Sequence, residues 1–330
     1  MQDKLRKPGI GERLSQLAYL LKHTFTIVGR DPGIIRPWVR MAIYSIVMSS
    51  LFFLGALFLA LGNALTGSLL LAMSVLLFFY KFFYFTRQEM RQSWLVSEAV
   101  KGNRRSADEA KARVGTLAST CRKIALLDML VSWIVTMARR NQKAGFLVRI
   151  IAQGLEEVWD LLNHYLLPSA AVDGYGIREG VGRMKTLRDN VPETLAGVFG
   201  IDIAAKAVGT IIGPLYFGLI LLAAGAGVWL GDALPAFHVG DIRQMLDDPQ
   251  LDFLPETLDF SWLPLLIVLW LGKTLSVVLE RVTTTVKVIY FSIFYMRITH
   301  ADEIIPEIRG ELDGYLKMEK SDVAPVATPA

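Results

Sequence analysis

The sequence predicts an all-α fold: a polytopic helical membrane protein with about four full transmembrane helices plus amphipathic or re-entrant helices. Three observations carry this. Met41–Leu61 and Ala207–Gly231 each run a full span without a charged residue. At about 1.5 Å of rise per residue, either stretch can cross a hydrocarbon core of about 30 Å. The chain is 53% hydrophobic with a mean hydropathy of +0.40, a modest excess over the about 45–50% of soluble domains, so clustering of the apolar residues decides the class. Lys and Arg crowd beside the apolar runs, the pattern of membrane topology rather than of nucleic-acid binding, even with a pI near 9.1. The single cysteine, Cys121, excludes an internal disulfide and a cysteine-based zinc site. Residues 1–40 are charged and the first apolar run is a full span, so no cleavable signal peptide is expected.

Residues 1–37 read as a cytoplasmic N-terminal segment with an amphipathic helix at 10–28. Leu14, Leu17, Leu21, Phe25 and Val28 form one face, with Glu12, Arg13, Gln16 and Lys22 mostly off it. An interfacial helix is expected, and an ordinary packed helix is the alternative. Pro32 and Pro37 each disfavour a preceding α residue and break the chain there. A transmembrane hairpin follows over 38–86. Its spans are Trp38–Leu61 and Ala64 to about Phe85, turning at Gly62 and Asn63, with an aromatic belt at Tyr80 and Phe82–Phe85. Eight Lys/Arg precede this hairpin in residues 1–40, none lies in its turn, and nine fall between Arg87 and Lys123. The positive-inside rule puts both flanks in the cytoplasm.

Residues 87–190 read as cytoplasmic and membrane-associated helices. Residues 87–122 are polar helix with a turn near Gly102-Asn103. Ile124–Met137 is an apolar stretch containing Asp128, short for a span, and it is followed by Arg139, Arg140 and Lys143. The expectation is a central hairpin, 124–138 against 146–167, re-entrant or lying at the interface; two full crossings, for six spans in all, is the alternative. The second arm carries Arg149, Gln153, Glu156, Asp160 and Asn163 at helical steps of three or four, with Glu157 and His164 at the edges. Pro168 is expected to end it. A turn at Asp173, Gly174 and Gly176 then leads to a basic helix with Arg178, Arg183, Lys185 and Arg188.

Residues 191–300 supply the second transmembrane pair. A long helix from Val191 carries Asp202 and Lys206 at i, i+4, the pairs Gly209/Gly213 and Gly227/Gly231 for close helix approach, and Pro214 as a kink site. The loop 232–261 holds seven acids against Arg243 alone and is assigned outside. Phe260–Leu279 re-enters as a span carrying Lys273 and continues as helix through Arg297. Residues 301–330 form a cytoplasmic tail, disordered by composition from about 321.

One resemblance emerges at Trp159–Gly174, where WDLLNHYLLPSAAVDG places a Trp, a Pro, an apolar run and an acid-Gly in order. GIREGVGRMKTLRDNVPET and VFGIDI follow, and GRDPGIIRPWV stands at the entry to the first span. Over about residues 10–225 the chain resembles an uncharacterised family of bacterial polytopic membrane proteins, distantly similar to the membrane region of glycerophosphodiester phosphodiesterases. The resemblance implies fold and membrane residence, and it transfers no catalytic residue. The chain departs from the family's pattern at Glu156, Glu157, Asp160, Asn163 and His164, where members have small or apolar residues.

The ionisable residues of the membrane-associated helices form a candidate intramembrane polar network: Asp128, Glu156, Glu157, Asp160, His164, Asp202, Lys206 and Lys273. One helix cannot close a metal coordination sphere from Glu156, Asp160 and His164 alone, so neither a metal site nor a cofactor is expected. A solvated stripe and a helix-joining network are the plainer readings. Lys273 sits mid-span, where an unpaired charge costs about 2.5–3.5 kcal/mol on insertion scales. It is expected to face the interior, paired with Asp128 or the 146–167 stripe. No Ser-His-Asp arrangement, phosphate loop or HExxH occurs. The expected function is therefore a non-enzymatic inner-membrane scaffold or assembly partner. Its partners would be the lipid bilayer and a homo-oligomer or membrane-protein partner, not nucleic acid. A transporter or channel using Lys273 is the alternative, and a membrane enzyme or metal site a third.

Overall fold

The computed structural model describes Gly29 and residues 31–140, 146–186, 191–238 and 257–310. Its elements are the helices α1 (Arg36–Ala60), α2 (Ala64–Val100), α3 (Ala107–Thr116), α4 (Ala118–Arg140), α5 (Phe146–Asp173), α6 (Ile177–Thr186) and α7 (Val191–Trp229). The strands β1 (Ala236–His238) and β2 (Asp259–Ser261) come next, then the helix α8 (Leu263–Thr299). The expected all-α, polytopic architecture is what the structure shows. Four helical segments are long and apolar enough to cross a membrane: Pro32–Ala60, Ala64–Val100, Gly209–Trp229 and Leu263–Thr299. No more than 22% of the apolar window of any of them is buried. Side chains that apolar, left uncovered, suit lipid rather than water, and the chain is a membrane protein. Neither α4 nor α5 is among the four.

The chain divides into two compact units that interleave along the sequence. The membrane unit comprises Ala42–Phe79 and Ala204–Arg281; the helical body comprises Met1–Met41, Tyr80–Ile203 and Val282–Ala330. In the membrane unit α1 and α2 form a hairpin turned at Gly62, whose φ of 79° favours glycine. Close approach depends on two further glycines. A Cβ on Gly55 would lie 2.8 Å from the Leu71 side chain, and one on Gly67 2.8 Å from the Leu59 backbone nitrogen. Hydroxyls find carbonyls on the facing helix: Tyr44 donates to Leu77 at 2.7 Å and Ser74 to Met48 at 3.0 Å, as a medium without water requires. On α8, the Trp270 indole donates to Ser50 Oγ at 3.0 Å, and Tyr216 of α7 packs where a side chain on Gly272 would stand.

The two glycine pairs of α7 differ. Gly209 and Gly213 face open space, whereas Gly227 and Gly231 lie against Ser261 and Asp259 of β2. The strands were not anticipated. They pair antiparallel, with Phe237 opposite Phe260, and join two ends of a loop whose residues 239–256 lie outside the described residues.

The helical body is built around the far end of α8. Every residue from 286 to 298, VKVIYFSIFYMRI, is buried, as expected of a helix apolar on all sides. Fully burying one such side chain contributes about 1.5–3 kcal/mol. Leu95, Val96 and Val100 of α2 pack on Ile289, Ile293 and Met296, while Leu166, Leu167 and Ala170 of α5 join Met90, Cys121, Ile124 and Val288.

Four expectations are corrected here. Residues 87–100 are not part of a separate polar helix; they continue α2, and Gln88, Glu89, Gln92, Ser93, Ser97 and Glu98 are buried in the body's core. Gln92 donates to the Ile34 carbonyl at 3.1 Å, and the hydroxyls of Ser93 and Ser292 meet at 2.7 Å. Pro168 does not end α5, which runs on to Asp173. An interior proline costs about 3 kcal/mol, but Leu166, Leu167, Ala170 and Ala171 on either side are all buried, and that packing outweighs the lost bond. The chain over 32–35 is not simply broken but forms a 3-10 turn, with Asp31 accepting from Gly33. Phe260 does not open the last span: it lies in a short strand, and the helix begins at Leu263. The turns at Gly102 and Gly174, by contrast, fall where expected, with φ of 84° and 76°. Residues 10–28 and 321–330 and the Arg188 position lie outside the described residues.

Candidate functional site

The polar stripe of α5 meets a charge that sequence reasoning had not paired with it. Lys287 of α8 places Nζ 2.7 Å from Asp160 Oδ2. One turn along α5, His164 Nδ1 lies 3.2 Å from Asp160 Oδ1 and 2.7 Å from the Asp160 carbonyl. The helical period makes this possible, since residues at i and i+4 share a face. The Lys287 and His164 side chains are 9% and 6% exposed, Asp160 32%. The His164 ring lies 5.4 Å from that of Phe291. Its Nε2 is buried without a hydrogen-bond partner.

Electrostatics follow from this arrangement. Burial works against the Asp160 charge, but His164 and Lys287 outweigh it and hold the carboxyl well below the usual carboxylate range. For His164 burial again opposes the charged form, Asp160 more than offsets it, and the imidazole is raised above its ordinary value. Burial raises Asp128, only partly countered by the Trp159 indole, which donates to it at 2.9 Å.

A second cluster closes the end of α5. Asp173 accepts from the Tyr295 hydroxyl and lies 3.0 Å from His300 Nε2. Burial would raise Asp173, but these two partners lower it. The last carbonyls of α5 receive the Arg113 guanidinium, at 3.1 Å from Ala171 O and 2.7 Å from Val172 O. Exposed helix ends are usual targets for a cation.

The predicted network is thus divided. Asp128, Asp160 and His164 belong to the body's interior, each with a bonding partner on α5 or α8. Glu156 is half exposed and pairs with Arg139 across the α4–α5 hairpin. Lys273 is exposed on α8 within the membrane unit and has no ion pair among the described residues. The side chains of Glu157, Asp202 and Lys206 lie outside the described residues. Among the described residues no three His, Cys, Asp or Glu side chains converge as a metal site. The cation that neutralises Asp160 is a lysine ammonium. Sequence reasoning passed over Lys287, Asp173, His300 and Tyr295 as site members. The signal for Lys287 was present, as a charge isolated within VKVIYFSIFYMRI.

Comparison with protein-family models, characterised proteins and solved structures finds no match.

Proposed function

We propose that this chain is a multi-pass scaffold or assembly partner of the bacterial inner membrane, non-enzymatic, with N- and C-termini in the cytoplasm. The observation that carries the reading is how the ionisable groups of α4 and α5 are used. Asp160 is held by Lys287 and His164, Asp128 by Trp159, and Asp173 by His300 and Tyr295. Groups engaged in tying α4, α5 and α8 together are not left to carry a solute or a proton. The transporter alternative needed Lys273 beside an acid, and Lys273 is exposed without an ion pair among the described residues.

Charge distribution supports the orientation. Of the 35 Lys and Arg, only Lys206, Arg243, Lys273 and Arg281 belong to the membrane unit. The helical body, with the rest, is assigned to the cytoplasmic side by the positive-inside rule. Kinship with the family named above remains part of this proposal. Two experiments test it. Extraction in mild detergent should recover the chain in a stoichiometric complex with itself or another membrane protein; a monodisperse, partnerless monomer would overturn the scaffold. In a Cys121→Ala background, a membrane-impermeant thiol reagent applied from outside should label Asp248→Cys and spare Ser106→Cys. The reverse pattern would invert the topology.

A further inference from the structure

The α4–α5 hairpin turns one side to the body's core and leaves the other uncovered. On α4 the exposed apolar residues are Leu126, Leu127, Leu130, Trp133, Ile134 and Met137; on α5 they are Val148, Ile151, Leu155 and Val158. Each set recurs at steps of three and four, so each forms one continuous stripe. Trp133 is 62% and Ile151 69% exposed. Ten large apolar side chains on two paired helices exceed the scattered exposure normal for a surface facing water.

We infer that this face enters the headgroup–acyl boundary of a single leaflet and prefers anionic lipid. The inference goes beyond the scaffold reading and does not depend on it. Three features select lipid over a protein occupant. The first is charge. Arg122 and Lys123 stand near the start of α4 and Arg140 at its end, all exposed. A second copy docked on the same face would set cations against cations whether the α4 helices ran parallel or antiparallel. Anionic headgroups complement both ends at once. The second is length. Leu126 to Met137 spans about 17 Å of helix, roughly half of a hydrocarbon core of about 30 Å, which suits one leaflet and not a crossing. The third is polar satisfaction. Thr136 within the apolar stripe donates its hydroxyl to the Ser132 carbonyl at 2.7 Å, Trp159 donates to Asp128 and Glu156 pairs with Arg139. A surface meant for water has no need of such closure, whereas one meant for hydrocarbon does. Trp133 supplies the amphipathic ring that favours the interface.

The test uses the full chain in liposomes, in a Cys121→Ala background, with an environment-sensitive fluorophore at Leu130→Cys and, as an independent second site, Met137→Cys. Arg104→Cys, in the exposed turn before α3, is the aqueous reference. Both hairpin labels should be quenched severalfold more by lipids spin-labelled near the headgroup than by aqueous iodide, with the opposite order at Arg104→Cys. Quenching by lipid should rise when phosphatidylglycerol is added to phosphatidylcholine. The triple variant Arg122→Gln/Lys123→Gln/Arg140→Gln should lose that dependence, at about fivefold in lipid association per cation removed. Free access of iodide to both labels would overturn the inference. So would protection from iodide and lipid alike, accompanied by energy transfer between labelled copies, which would give the face to a second copy.

Discussion

Removing one partner from the Asp160–Lys287 pair should be far more damaging than removing both. Lys287 is 9% exposed and its Nζ lies 2.7 Å from Asp160. Breaking a buried pair from one side costs about 3–5 kcal/mol, because the surviving charge is stranded. The two sides are not equivalent here. Lys287→Met leaves Asp160 with His164 still bonded and with 32% of its side chain exposed, so the loss should fall below that range, at about 2–3 kcal/mol. Asp160→Asn takes the carboxylate away from the more deeply buried ammonium and from His164 together, so the loss should be the larger of the two, at about 3–5 kcal/mol. Asp160→Asn/Lys287→Met restores neutrality and should lie within about 1–2 kcal/mol of the parent. The coupling energy is then at least about 3 kcal/mol, above the 0.5 kcal/mol or so of unrelated sites. The assay is thermal or denaturant unfolding of the four purified proteins in one detergent, read by tryptophan fluorescence. Additive losses, with the double variant as unstable as the sum of the singles, would refute a structural pair. A double variant that unfolds normally yet loses recovery of its membrane partner would show instead that the charges serve assembly.

pH provides a related check. His164 is raised in the folded state, so its stabilisation is full below its unfolded value of about 6.5 and is lost as pH rises through the higher folded value. Asp160 is depressed, so its contribution is present above about pH 4 and lost as pH falls through the lower folded value. Stability should therefore decline on both limbs. His164→Gln should flatten the alkaline limb and, because His164 helps to hold the Asp160 carboxyl down, weaken the acid limb as well; an unchanged alkaline slope would separate His164 from the effect. Glycine substitutions distinguish close packing from open surface. Gly272→Ala and Gly231→Ala, directed at the Tyr216 ring and the Asp259 backbone, should each cost about 1–3 kcal/mol, while Gly213→Ala in open space should be neutral or slightly stabilising in the same unfolding assay. Cys121 is buried, and burial pushes its thiol up. A maleimide should react with it only once the body unfolds, and rapid labelling of the native protein would contradict the packing around Met90 and Ile124.

Several features were legible because they are local. Charge-free runs of twenty-odd residues announce spans through length alone. Gly62, Gly102 and Gly174 mark turns through their backbone freedom, and the α4–α5 hairpin follows from an apolar stretch too short to cross. The 87–100 stretch was harder. Its Gln, Glu and Ser residues resemble a solvated helix, and periodicity cannot reveal that Gln92 meets the Ile34 carbonyl or that Ser93 meets Ser292 across 199 positions. Pro168 misled for a comparable reason: a local rule about a missing N–H was overruled by the packing of its neighbours.

By itself the sequence determined the helical class, the places of the four long apolar spans and the asymmetry of charge, since each depends on composition within a window no longer than a helix. Only the tertiary structure decided which lysine answers Asp160. Both Lys273 and Lys287 lie on α8, about four turns apart. One is exposed in the membrane unit, and the other is buried in the body against α5. An ion pair is set by which helix faces meet, and that meeting depends on side chains more than a hundred residues apart packing at once.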